Sequence, residues 1–168
     1  MSRKYMNDRW CVRCGRTDPT PYLKKYAHLL LGNDINRILD LGCGNGRNTL
    51  HLRQLGAIVV AVDACPNVTD VQVCTLGHDC LPCPMTWATG ILANYVLMFL
   101  DKDELAQVCR EMKSVAAPGC RLMVELYPAK DSHCPTEGHL KLLEDRIFAE
   151  LGRNFVRRSK NRFILQLC

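Results

Sequence analysis

Apolar residues in this chain gather into short runs, and polar or glycine-bearing turns separate them. Five runs read as strands: Asn36–Leu41, Ala57–Val62, Val71–Leu76, Trp87–Ala93 and Arg121–Tyr127. Mostly apolar runs of this length suit strands buried on both faces. Between them the period becomes helical. Tyr22–Leu31 reads as a helix ended by Gly32, and Asn48–Leu55 as one closed by Gly56. Asp101-x-x-Glu104 has the form of a capping box. It opens a helix to about Val115, with Leu105, Val108, Met112 and Val115 at helical spacing. Glu137–Leu151 is the last helix, and Phe155-Val156 pairs with Arg162–Leu167 around Ser159-Lys160-Asn161. Strands alternating with helices predict an α/β fold with a mostly parallel sheet. Residues 1–21 are irregular, with a turn at Asp18-Pro19-Thr20-Pro21, and form a candidate lid. No internal repeat or low-complexity tract stands out.

One connection is too short for that plan. Parallel neighbours need a crossover of a dozen or more residues, usually a helix. Only Ala64–Asp70 separates the second predicted strand and its acid from the third. The sheet is therefore expected to lack the helix between strands 2 and 3. One face there, either Ile58, Val60 and Val62 or the set with Val59 and Ala61, would need another cover. A second copy of the chain, as a homodimer, or the N-terminal segment would supply it.

A chain of 168 residues is the size of one domain, here 1–168. It contains no run of 18 apolar residues, which argues against a membrane span. Met1–Tyr5 leads into no apolar targeting segment, and the cysteine count of 11 is odd. Together these point to reduced thiols in the cytoplasm. Charge is uneven: +5 over residues 1–25 and +4 over 141–168, against −4 between them. Basic ends suit an anionic partner and an acidic middle suits a cationic ligand, though solvated surface charge explains both as well.

The chemistry concentrates in Asp40-Leu41-Gly42-Cys43-Gly44-Asn45-Gly46-Arg47-Asn48. A strand ends there and a helix begins. Glycines at alternate positions admit sharp turns and close approach of a ligand, and a helix N-terminus offers free amides to an anion. The dinucleotide pattern G-x-G-x-x-G fails, because Arg47 stands at its third glycine. Asp63 ends the second strand 21 residues after Gly42, near the spacing at which an acid meets ribose hydroxyls. A capping turn beside a surface aspartate is the plainer reading.

The spacing Asp-x-Gly-x-Gly-x-Gly resembles motif I of the class I S-adenosylmethionine (SAM) methyltransferases. LDLGCGNGRNTLHL over Leu39–Leu52, with Val96–Leu100, is similar to the tellurite-resistance methyltransferase family. The similarity covers roughly residues 22–130. It implies a Rossmann-like sheet with an antiparallel last strand, SAM as cofactor and methyl transfer to a small molecule, with a chalcogen oxyanion or thiol as candidate acceptor. By the same resemblance Gly42, Gly44 and Gly46, with Cys43, approach the amino-acid half of SAM. Asp40 lies near its ammonium, Arg47 and Asn48 near its carboxylate, and Asp63 with Ala64 at the ribose. Asp79 and Cys80 fall at the adenine, and Asn94 at the end of strand 4. Tyr95, Arg157 and Arg158 are the substrate-facing candidates; no catalytic residue is implied. Asn94-Tyr95-Val96-Leu97 lacks the prolines of base-amino methyltransferases, and Pro82-Cys83 precedes strand 4, which argues against nucleic-acid substrates. Cys11-x-x-Cys14 and Cys80-x-x-Cys83 are too far apart for a zinc ribbon, so no metal is expected. A degenerate SAM-binding module is the alternative to an enzyme.

Overall fold

The computed structural model describes residues 17–32, 35–65, 69–126 and 137–167. Helices are α1 (Pro21–Leu30), α2 (Arg47–Gln54), α3 (Lys102–Val115) and α4 (Glu137–Leu151). Strands are β1 (Arg37–Leu41), β2 (Ile58–Asp63), β3 (Gln72–Val73), β4 (Ala88–Asn94), β5 (Ala116–Glu125), β6 (Phe155–Ser159) and β7 (Arg162–Gln166). One sheet takes them in the order β3-β2-β1-β4-β5-β7-β6. The first five strands are parallel and β7 is antiparallel to both neighbours. This is the expected α/β sheet with its antiparallel closing hairpin.

Alternation of side chains divides the core. On one face α1 and α2 bury Leu23, Leu30 and Leu52 against Ile38, Leu92, Met123 and Ile164. On the other, α3 and α4 bury Leu105, Met112, Ile147 and Phe148 against Leu39, Ile91, Leu122 and Phe163. Phe148 stacks edge-on with Phe163 and Phe155, centroids 4.9 and 5.1 Å away, which closes the β6–β7 end of the sheet. Each fully buried Leu or Phe side chain contributes roughly 1.5–3 kcal/mol.

Two strands depart from their sequence pattern. β3 is only Gln72–Val73, paired with Val62 and Asp63, where Val71–Leu76 was expected. The chain leaves the sheet edge so that Cys74, Leu76 and Leu81 can turn under it into the core. Gly77 makes that turn at φ +81°, against the Glu104 side chain and backbone. β5 begins at Ala116 rather than Arg121, and Pro118-Gly119 is absorbed as an irregularity within the strand. Residues 64–71 join β2 to β3, and the described ones among them hold no helix. Of the covers expected for the face left over, most of the N-terminal segment, residues 1–16, lies outside the described residues. Val59 packs with Leu52 on the α2 side, Ala61 is buried, and Val62 clusters with Cys74, Leu76 and Leu81 of the 74–81 turn. Ile58 and Val73 remain exposed. Among the described residues no helix is long and apolar enough to cross a membrane.

The capping box at α3 forms as read: Asp101 Oδ1 accepts from the Asp103 and Glu104 amides, and Glu104 Oε2 accepts from the Asp101 amide. Asp101→Ala should lower stability by about 1 kcal/mol. A denaturant midpoint equal to that of the parent chain would contradict this.

Candidate functional site

The glycine loop crosses from the carboxyl end of β1 to α2. Gly42, Gly44 and Gly46 all have left-handed φ, +63°, +58° and +72°. Gly42 has a second reason to be glycine, since a Cβ there would run into the Val96 side chain. Above Gly44 the Cβ direction is open, so a ligand can meet bare backbone. Gly46 is the N-cap of α2, and no side chain caps the helix. The first amides of α2 are therefore presented to a neighbouring anion.

Asp63 fastens this loop to β2. Its Oδ2 accepts the Gly44 N–H at 2.8 Å and its Oδ1 accepts the Cys65 N–H at 2.9 Å. Ala64, next along, is exposed. Asp40 lies beneath the loop, fully buried, and accepts the Thr49 hydroxyl at 2.6 Å. Burial pushes its carboxyl up to about 7, with the Thr49 bond opposing. Cys43 is buried too, and burial raises its thiol above the ordinary range.

Several candidate residues hold other partners. Asn48 Oδ1 accepts the Thr20 N–H at 3.0 Å, and Asn94 Nδ2 donates to Thr20 Oγ1 at 2.9 Å. Asn48 thus pins the residue ahead of α1, and no carboxylate partner is needed to satisfy it. Asp79 is exposed and accepts the Thr75 N–H at 2.7 Å, while Cys80 beside it lends its carbonyl to the Cys74 thiol. Arg47, first residue of α2, is half-buried.

Arg157 and Arg158 do not act together, because consecutive strand residues face opposite ways. The Arg157 guanidinium lies 4.0 Å from the Tyr26 ring centroid on the α1 face. Arg158 crosses to α4 and pairs with Glu144 at 3.1 Å. That pairing takes Arg158 away from the α1 face. Tyr95 adopts φ +57°, and burial followed by the Glu125 carboxylate raises its hydroxyl pKa.

Sequence reasoning missed Thr20, Thr49, Glu125 and Arg162. A signal existed for Glu125: an acid ends an apolar strand, as Asn94 ends β4, and the two are register partners. Among the described residues no three His, Cys, Asp or Glu gather as a metal group, and Cys11 and Cys14 lie outside the described residues.

A strand order of 3-2-1-4-5-7-6, a glycine loop after the first strand and an acid closing the second define a class I SAM-dependent methyltransferase fold. Residues 39–124 match the family model described as a methyltransferase domain, and the chain belongs to that family. It is related to the protein of Haemophilus influenzae named probable S-adenosyl-L-methionine-dependent methyltransferase TehB. The two are 31% identical over 117 residues, 59% of this chain and 39% of that protein. The chain thus spans well under half the length of this relative.

Two solved structures resemble the fold. The PH0226 protein of Pyrococcus horikoshii matches with TM-score 0.60 and 15% identity, over 90% of this chain and 93% of that one. The 1,6-didemethyltoxoflavin-N1-methyltransferase of Burkholderia thailandensis, with 1,6-didemethyltoxoflavin and S-adenosylhomocysteine bound, matches with TM-score 0.59 and 18% identity. That match covers 84% of this chain and 74% of the other. These likenesses speak to the fold alone.

The buried acid generates a pH prediction. In the folded chain Asp40 titrates near 7, above the roughly 3.9 of an unfolded aspartate. Its protonated form favours folding, so that contribution is complete below about pH 4 and is lost as pH rises toward 7. Asp40→Asn should flatten the fall in stability over that window. Denaturant unfolding at several pH values checks this; parallel curves for variant and parent would refute it.

Proposed function

We propose that this chain transfers a methyl group from SAM to a small-molecule acceptor. The carrying observation is the left-handed glycine loop and uncapped helix, locked to an acid at the end of the neighbouring strand. SAM, when bound, supplies a methyl carbon already activated by its sulfonium. The residues present fit that ligand. Gly44 has room for backbone approach, and the α2 amides, with Arg47 at the helix start, suit a carboxylate. Asp63 retains lone pairs for two ribose hydroxyls, each such bond worth roughly 1.5–3 kcal/mol. Asp40, once ionised, offers negative charge beneath the loop to a cationic ammonium. Asp79, beyond β3, is the candidate for the adenine amine.

In-line displacement at an activated methyl needs no covalent partner from the protein. Holding nucleophile and methyl in line supplies most of the acceleration. The acceptor would lie over the carboxyl ends of β4 and β5, near Asn94 and Tyr95. Absence of prolines after Asn94 supports a small molecule over a nucleic-acid base. A chalcogen oxyanion and a thiol, the acceptors that the sequence resemblance implies, are the first to test.

Calorimetry should show SAM and S-adenosylhomocysteine binding, and Asp63→Ala should weaken it at least tenfold, about 1.4 kcal/mol. Part of that loss reflects release of the Gly44 and Cys65 amides. Unchanged affinity would remove Asp63 from the site. Consumption of SAM with an acceptor panel would then separate an enzyme from a sensor.

A further inference from the structure

The turn after β3 carries Asp79, and α3 grips that turn at two points. Within the turn, Asp79 Oδ2 accepts the Thr75 N–H at 2.7 Å, and the Thr75 carbonyl accepts the His78 and Asp79 amides at 3.0 Å each. His78 Nε2 meets Glu104 Oε1 at 2.8 Å. The other Glu104 oxygen accepts the Asp101 N–H at 2.9 Å, which fixes the carboxylate on the helix start. Two turns along the same face of α3, Glu111 Oε2 accepts the Leu81 N–H at 3.1 Å, and Gln107 Nε2 donates to Glu111 Oε1 at 2.7 Å. Gly77 lets the two elements touch, since a Cβ there would fall 2.7 Å from the Glu104 Cα.

The two grips fall on either side of Asp79, at His78 ahead of it and at Leu81 behind it. Asp79 itself is exposed, and among the described residues only its Oδ2 is bonded. Its Oδ1 is left for a donor from outside the turn. The His78 side chain is 46% exposed, against 15% for Glu104. A pair this open to water adds little to stability. What it does is fix direction, since a carboxylate on an exposed turn would otherwise swing with the turn.

We propose that His78 is a positioning residue for the cofactor's base: clamped to Glu104, it fixes the Asp79 carboxylate and so makes the site select an amino purine over an oxo purine. The inference rests on the reading of Asp79 as the partner of the adenine amine. A carboxylate accepts from an amine and repels a carbonyl oxygen. Held still, it cannot turn from that oxygen to the ring N–H beside it, and the oxo base meets an unfavourable contact. Released, it can turn, and the discrimination falls. Glu111 anchors the far side through the Leu81 backbone amide, so the side chain at 78 is the one on which the selectivity depends.

The test uses the full chain and calorimetry with two ligands: S-adenosylhomocysteine, and S-inosylhomocysteine, which carries a carbonyl in place of the adenine amine. The parent should prefer the first by about tenfold or more. His78→Ala should cut that preference at least threefold, chiefly by weakening S-adenosylhomocysteine. His78→Gln, whose amide N–H can reach Glu104, should restore it. With Glu104→Ala already in place, His78→Ala should change the preference no further. A merely structural part for His78 would lower both affinities alike. No preference in the parent, an unchanged preference in His78→Ala, equal losses for both ligands, a further loss in the Glu104→Ala background, or no restoration by His78→Gln overturns the proposal. Asp79→Ala reports separately on the underlying reading. It should abolish the preference, and a preference kept in that variant removes Asp79 from the adenine site and the proposal with it.

Discussion

The carboxylate of Asp63 is the tie on which the ligand end of the molecule depends. Both its oxygens take backbone amides, one from the glycine loop and one from its own strand's exit. Three left-handed residues in five positions are an improbable backbone for a free chain, and each loses conformational entropy on being fixed. Bonds to an ionised acceptor hold that backbone better than neutral ones would. Support for the loop thus resides in one side chain, the same one proposed for ribose recognition. A ligand that bonds Asp63 also bonds the group that shapes its own cradle.

A second device fastens the N-terminal helix. Thr20, just before α1, meets Asn48 of α2 through its amide and Asn94 of β4 through its hydroxyl. Below this junction α1 is held by apolar burial, through Leu23, Ala27 and Leu30. Above it the packing turns polar, with Tyr22, Glu125 and Arg162. The boundary between the two falls at the carboxyl end of the sheet, where open α/β sheets place their ligands.

Much of this architecture was legible in the residues. Runs such as Ile38–Leu41 and Ala57–Val62 are apolar because both sheet faces are covered, and the glycine spacing at 42, 44 and 46 admits few other uses. What escaped was what depends on three-dimensional neighbours. β3 shortened because Cys74 and Leu76 gain more from the core than from a sheet edge. Nothing local says that Pro118-Gly119 will be carried inside a strand. Arg157 and Arg158 looked alike in sequence, and only the pairing of β6 with β7 separates them. The bond from the Thr20 amide to Asn48 could not be read locally, because the two lie 28 residues apart. That Asn94, Glu125 and Arg162 stand side by side needed the register of β4, β5 and β7 together.

Cys43 sits inside the loop over which an alkylating cofactor would lie. A thiolate at that point would be a competing nucleophile, able to consume the donor and scar the enzyme. Burial, reinforced by the negative charges of Asp40 and Asp63, keeps the sulfur protonated. Cys74, Cys109 and Cys120 are likewise pushed up, to about 11, 12 and 12. A cysteine-rich fold can thus live beside a reactive sulfonium because its interior thiols are chemically silent at neutral pH, protected from the protein's own reagent.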